Sequence, residues 1–437
     1  MDIPNVCNAP VYILPMMKVH FGLCQPSLVD MIWVYVTSNQ IIYRDSMKIG
    51  QLVSCKIMAA DWSTLPLDPL GYIAIKLETL EDFIYFSVVC RSWNRVSSLI
   101  KHQWRPIPMP WLLLAENTSN NPYCVRKIFN PSNNKCYRLN LPETLGARCW
   151  GSDYGWVAMV DRSLNVSLFN PITKAEIRFP SAETIPDRRP YDEEVDGDEQ
   201  GYISWILTGF LVRLIVLKVS ENEFVIVVTY GNNDHLVFCY LGIRVFDVVT
   251  MDGYLVALYN DVSLVYWKIM DVQGHELVKP MNYSSSQLEM FDNEFRSGIG
   301  TLYLVQSGCD LLMVLRDKEE VMSSDGDGTD YDLDIVYETL SFSVYRLDPK
   351  HRRWEKIEDH ATLFVGGNST MSVSAKHLQP NFIYFTDDEY ELSDFVRELG
   401  GHDMGVYDTK CDKIGRFYEG DGIRSEYCRP TWFIPRL

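Results

Sequence analysis

The chain is short of positive charge: 40 Lys and Arg face 58 Asp and Glu, a formal net charge of -18. A nucleic-acid surface works by neutralising phosphates with clustered Lys and Arg, so no nucleic-acid partner is expected. It also lacks a long apolar run. The most apolar stretch, Leu28 to Tyr43, is broken by Asp30, Ser38, Asn39 and Gln40 and falls short of the ~18 uninterrupted residues of a membrane span. No basic segment of a secretory leader precedes it, and no membrane partner is expected. The eleven cysteines (Cys7, Cys24, Cys55, Cys90, Cys124, Cys136, Cys149, Cys239, Cys309, Cys411 and Cys428) include no Cys-x-x-Cys pair. They read as buried thiols of a reducing compartment, cytoplasmic and/or nuclear. In that setting the sequons at Asn117, Asn165, Asn282 and Asn368 are chance. No Gly-x-Ser-x-Gly elbow, His-Glu-x-x-His helix or Walker loop occurs, and the eight histidines stand singly. The expectation is a protein that is not an enzyme, with no catalytic residue, no cofactor and no metal.

What is present is a composition that folds: 47% hydrophobic and 22% charged residues match ordinary globular proteins. Residues 1–57 carry no sustained helical or strand period and stay unassigned. Met58 opens Met-Ala-Ala-Asp just ahead of a well-patterned segment, which makes it a candidate natural start, with the preceding residues an overlong gene model.

Residues 62–105 read as a small helical unit. Asp68-Pro69 places a capping carboxylate before a proline at the first helical position, and Leu70, Ile73 and Leu77 follow as one apolar stripe. Thr79 with Asp82 resembles a capping box. Phe83, Phe86, Val89, Cys90 and Trp93 continue the helical spacing. Some forty residues cannot bury all of this alone, so the unit needs a partner.

Past the proline-rich joint Pro106 to Pro110, residues 111–437 change to short strands separated by turns. Tyr123 to Phe129, the turn at Asn130-Pro131 and Lys135 to Leu139 are echoed forty residues later by Val166 to Phe169, Asn170-Pro171 and Ala175 to Phe179. That period is the length of a propeller blade. Further strand-turn-strand copies lie at Leu264 to Val278, Ser343 to Ile357 and Gly405 to Tyr418. The fold class is therefore mainly β: a C-terminal β-propeller, six blades favoured and seven possible, after a small all-α domain. Radial closure is one way for many short strands to avoid open edges. Two acidic tracts, Asp187 to Glu199 and Asp317 to Asp334, read as solvated loops. Asp325 to Asp330 lacks the twelfth-position glutamate of a calcium loop.

Two resemblances cover nearly everything after Met58. Leu65, Pro66, Asp68, Leu70, Ile73, Leu77, Asp82, Val89, Cys90 and Trp93 match the F-box pattern in one register. The second half resembles the plant KIB-type β-propeller that accompanies F-boxes, through Leu363 to Gly366, Ser372 to Ala375, Asn381 to Asp388, Asp403 to Asp408 and Pro430 to Pro435, in that order. The resemblance implies a substrate-recognition adaptor of an SCF-type cullin-RING ubiquitin ligase. The F-box would dock on a Skp-type adaptor, and through it on the cullin and RING proteins, by Leu65, Pro66, Leu70, Ile73, Leu77, Val89, Cys90 and Trp93. Trp93 would be the main anchor, and the propeller would hold an unknown protein substrate. The alternatives are a stoichiometric inhibitor that grips a target, a kinase among the candidates, without degrading it, and more remotely a propeller hydrolase, for which acidic pairs such as Asp387-Asp388 would have to converge.

Overall fold

The computed structural model describes residues 33–37, 40–44, 62–115, 125–185, 198–218, 224–230, 235–236, 245–251, 254–259, 264–268, 281–283, 299–322, 335–351, 353–367, 369–374, 378–388, 403–418 and 429–437. Met58, the calcium-like loop at 325–330, the sequons at Asn117 and Asn368, and most of both acidic tracts lie outside these residues. The chain divides into two compact units, Met1–Arg105 and Pro106–Leu437.

In the first unit, β1 (Trp33–Thr37) and β2 (Gln40–Arg44) pair antiparallel in the stretch left unassigned above. The helices are α1 (Leu67–Ile75), α2 (Leu80–Ser87) and α3 (Arg91–Ile100). α1 begins two residues before the expected Asp68-Pro69 boundary, with Pro66 as its N-cap and no side-chain cap. The shift costs no hydrogen bond, because the first four N–H groups of a helix have no partner within it and Pro69 merely lacks one of them. Asp68 then favours the positive end of the helix from inside the first turn. Thr79 does cap α2: its Oγ1 accepts from the Asp82 N–H at 3.1 Å and donates to the Asp82 carboxylate at 2.8 Å. The helical spacing read through to Trp93 is interrupted, since Val88 to Cys90 form a break in which Cys90 is extended and starts α3.

Among the described residues the second unit holds six sheets. The first contains β3 (Trp111–Leu113), β4 (Val125–Asn130) and β5 (Lys135–Asn140). The second is β6 (Arg148–Gly151), β7 (Val157–Val160), β8 (Val166–Phe169) and β9 (Glu176–Arg178). A short helix, α4 (Glu199–Trp205), and a π-helical turn (Ile206–Phe210) lead into β10 (Leu211–Lys218), β11 (Phe224–Tyr230) and β12 (His235–Leu236). The fourth sheet is β13 (Val245–Met251), β14 (Tyr254–Tyr259), β15 (Leu264–Lys268) and β16 (Met281–Tyr283). The fifth is β17 (Ile299–Ser307), β18 (Asp310–Met322), β19 (Ile335–Asp348) and β20 (Arg353–Lys356). The sixth comprises β21 (Thr362–Val365), β22 (Met371–Val373), β23 (Phe382–Phe385), β24 (Gly405–Asp408) and β25 (Lys413–Gly415). Finally β26 (Thr431–Phe433) pairs with β3, placing Trp432 opposite Leu112.

This is a propeller-like arrangement. β26, β6, β10, β13, β17 and β22 pack each against the next. The Ser369 hydroxyl donates to the Trp432 carbonyl at 2.8 Å, and the Phe364 and Trp432 rings meet edge to face, which ties the sixth sheet back to the first. Against the expectation of six or seven full blades, among the described residues five sheets have four or five strands and the third has three. The residues just ahead of that third sheet are helical and supply it no strand.

Inner strands such as Val157–Val160 and Thr362–Val365 are buried throughout, whereas the outer β5 and β9 largely face solvent. The two Asn-Pro turns are hairpins closed by side chains: Asn130 Oδ1 accepts from the Ser132 N–H and Asn170 Oδ1 from the Ile172 and Thr173 N–H groups. The ring closes tightly at Gly151, where a Cβ would stand 1.6 Å from the Trp432 oxygen.

Candidate functional site

In the helical unit, Leu70, Ala74, Leu77, Leu80, Phe83, Phe86, Val96 and Trp104 form the interior. Trp104 stacks on Phe83 at 4.1 Å and donates its indole N–H to the Leu77 carbonyl at 2.7 Å, so it locks the end of the unit onto α1. Trp93 packs on Phe86 at 4.5 Å and donates to the Trp62 carbonyl at 3.1 Å.

The outside of this unit is unusual. Of the ten large apolar residues that are exposed among the described residues, eight fall between Trp62 and Leu99: Trp62, Leu67, Tyr72, Ile75, Tyr85, Val88, Val89 and Leu99. A single exposed apolar side chain needs no explanation, but such a concentration on so small a unit marks a surface meant to be covered. Val88, at 70% exposure, is the extreme.

The residues singled out from sequence divide accordingly. Pro66 and Val89 are exposed; Leu65, Ile73, Cys90 and Trp93 are half-buried; Leu70 and Leu77 are buried in the unit's own core. Sequence reasoning passed over Leu67, Tyr72, Ile75, Tyr85, Val88 and Leu99. The available signal was that α1 carries apolar residues on both sides: Leu70 and Ala74 on the buried one, Tyr72 and Ile75 on the other.

The propeller-like unit carries a different constellation between its fifth and sixth sheets. Arg316 and Lys318 on β18 are fully buried. Arg316 reaches Asp388 at 3.2 Å and Asp403 at 2.8 Å, and Lys318 reaches Asp388 at 2.8 Å. Thr339 on β19 bridges Arg316 and Asp403 at 2.8 and 2.7 Å, and Arg316 also donates to the Thr386 carbonyl at 2.9 Å. The Tyr303 hydroxyl donates to Asp388, and the Tyr337 hydroxyl to Asp387. Burial alone would raise the Asp388 carboxyl, but Lys318 and Arg316 together hold it well below the ordinary carboxylate range. Burial likewise opposes the Arg316 charge, and Tyr303, Asp388 and Asp403 more than restore it. Asp388 is committed to two cations and Asp403 to one, an ionic clamp between sheets; of the pair considered for acid/base chemistry, Asp388 thus holds the clamp and Asp387 accepts from Tyr337.

This clamp corrects the reading of Asp317 to Asp334 as a solvated loop, since its first six residues belong to β18, with Asp317 and Lys318 both 1% exposed. Asp198 and Glu199, at the end of the other tract, cap and open α4. The cysteines also depart in part from expectation: among the five described, Cys149 is buried and Cys90 half-buried, while Cys136, Cys309 and Cys411 are exposed, all five as free thiols. Among the described residues no group of His, Cys, Asp and Glu is arranged to hold a metal, and no helix is long and apolar enough to cross a membrane.

The family model of the KIB1-4 β-propeller matches residues 128–408. The Arabidopsis thaliana F-box protein SKIP23 is 24% identical over 392 residues, covering 81% of this chain and 90% of that protein. F-box protein At2g17036 from the same plant is 22% identical, covering 81% of this chain and 89% of its own length. A third Arabidopsis thaliana protein, At4g22180, is 31% identical over 86% of this chain and 94% of its own length.

Proposed function

Because this chain belongs to the family of plant F-box proteins that carry a KIB1-4 β-propeller, we propose that it is the substrate-recognition adaptor of an SCF-type cullin-RING ubiquitin ligase. The helical unit docks on a Skp-type adaptor, which links it to cullin and RING proteins, and the propeller holds the protein to be ubiquitinated. The chain itself makes no bonds. It brings target and ubiquitin-charged enzyme together, and proximity does the work.

The observation that carries this reading is the crowding of exposed apolar side chains between Trp62 and Leu99. Covering them by another polypeptide is favourable at about 25 cal/mol per Å² of apolar area. Pro66 and Val89 touch the adaptor directly, together with Leu67, Tyr72, Ile75, Tyr85 and Val88. Leu65, Ile73, Cys90 and Trp93 frame that surface, and Leu70 and Leu77 support it from beneath. The test is co-purification of a Skp-type adaptor with the full chain. Leu65→Ala with Pro66→Ala is expected to abolish it while the circular dichroism of the β structure stays unchanged; undiminished co-purification would refute the proposal.

A further inference from the structure

Among the described residues, each of the six sheets is joined to the next by a hydrogen bond from or to a side chain on or beside an innermost strand. Thr431 joins the first sheet to the second by donating to the Cys149 carbonyl at 3.1 Å, and Arg148 joins the second to the third by donating to the Leu211 carbonyl. Asp247, on the fourth, accepts from Arg213 of the third and from the Leu304 N–H of the fifth, the latter at 2.7 Å. The Thr370 hydroxyl, beside the sixth, donates to the Leu304 carbonyl at 2.7 Å, and the Ser369 bond to the Trp432 carbonyl closes the circle.

One link differs from the rest. Arg213 and Asp247 join two charges, whereas in each of the others at least one partner is a neutral backbone group. The carboxylate is fully buried and the guanidinium side chain nine-tenths so. Burial lowers the Arg213 pKa to about 10, which leaves it charged at neutral pH. Its guanidinium also comes within 3.5 Å of the Thr370 hydroxyl. The third and sixth sheets stand opposite each other in a ring of six, so this side chain lies across the axis.

The pair sits where apolar packing is thinnest. Among the described residues, the cluster between the third and fourth sheets holds five buried apolar residues, Leu217, Val227, Val248, Leu255 and Ala257. The clusters between second and third, fourth and fifth, fifth and sixth, and sixth and first sheets hold fifteen, eleven, eleven and nine. Hydrophobic attraction scales with the apolar area removed from water, so this seam has the least to hold it.

We propose that the seam between the third and fourth sheets is where this propeller-like ring opens first, and that the Arg213–Asp247 pair is the strap that holds it shut from the axis. This is a conformational device of the fold and stands apart from the adaptor reading. Removing Arg213 leaves a buried carboxylate without its counter-ion. Removing Asp247 strands the guanidinium and also frees the Leu304 N–H, so the fourth sheet loosens from both neighbours.

The test is hydrogen exchange read by mass spectrometry on the full chain. In the wild type, the amides of 213–217 and 247–250 are expected to exchange faster than those of 312–315 and 363–365, which line the interface of the fifth and sixth sheets. Arg213→Leu should speed exchange at the seam about tenfold or more and change it at 312–315 by less than about twofold. Arg213→Leu with Asp247→Leu, which sets apolar groups on both sides, should recover part of the lost protection. Arg213→Lys keeps the charge without the planar fork; it serves as the milder variant should Arg213→Leu fail to fold, and should speed the same amides several-fold. A wild-type seam as slow as the interface of the fifth and sixth sheets, unchanged exchange at the seam in the variants, or an equal rise at every interface would each overturn the proposal. Such a failure leaves the adaptor reading standing, since co-purification tests that separately.

Discussion

Replacing Asp388 by Asn keeps the shape of the ionic clamp and removes its central charge. Lys318 then loses the carboxylate 2.8 Å from its Nζ, and Arg316 keeps only Asp403. Removing one member of a buried ion pair costs about 3–5 kcal/mol, because the charge left behind has already surrendered its water. The propeller-like unit has about 330 residues, for which the entropy of unfolding near the midpoint is about 0.7 kcal/mol/K. The expected fall in Tm is therefore about 4–7 °C at pH 7. Adding Lys318→Met to Asp388→Asn should recover part of it, since an uncharged side chain needs no counter-ion.

The pH dependence follows from the depressed carboxyl. A group held below its unfolded value of about 3.9 stabilises the fold fully above that value and loses its contribution as pH falls toward the folded pKa. The gap between the wild-type and Asp388→Asn midpoints should thus narrow on going from about pH 5 to pH 3. Differential scanning calorimetry across that range is the assay. A variant melting within about 1 °C of wild type at pH 7, or a gap that widens in acid, would refute the clamp.

Gly151→Ala should destabilise the same unit by about 3 kcal/mol, the upper end for overpacking, because its new Cβ would collide with the Trp432 oxygen and the backbone must move; faster hydrogen exchange at 148–151 and 431–433 checks it. Leu70→Ala, at a fully buried position, should cost about 2–5 kcal/mol. Since that matches the whole stability of so small a unit, residues 62–105 should lose exchange protection outright, whereas Val88→Ala at its exposed site should leave that protection intact.

The parts of the fold that were legible in the sequence are those where local chemistry and final structure agree. Asn130-Pro131 and Asn170-Pro171 close hairpins with their own side chains, so the blade period could be counted without knowing any long-range contact. Thr79 could be read as a cap for the same reason. The boundary of α1 was misread because Asp68-Pro69 satisfies the rules for a helix start, yet Pro69 fits equally well three residues inside one. Only the packing of Leu70 and Ala74 chooses between them.

The clamp was invisible for a deeper reason. Lys318 sits inside Asp317 to Glu320, where composition alone predicts a solvated segment, and its partner Asp388 lies 70 residues away. A buried charge is tolerable only when its counter-ion is delivered by the fold, so nothing local distinguishes it from a surface charge. The proposed docking surface was hidden in the mirror-image way: the residues matched in register include both buried and exposed positions, because a helix that is apolar on both sides looks the same whichever side turns inward. Tyr72 and Ile75 could therefore be separated from Leu70 and Leu77 only by finding that Trp104 and Phe83 already occupy one side of α1. The proposed adaptor covers the surplus left on the other side.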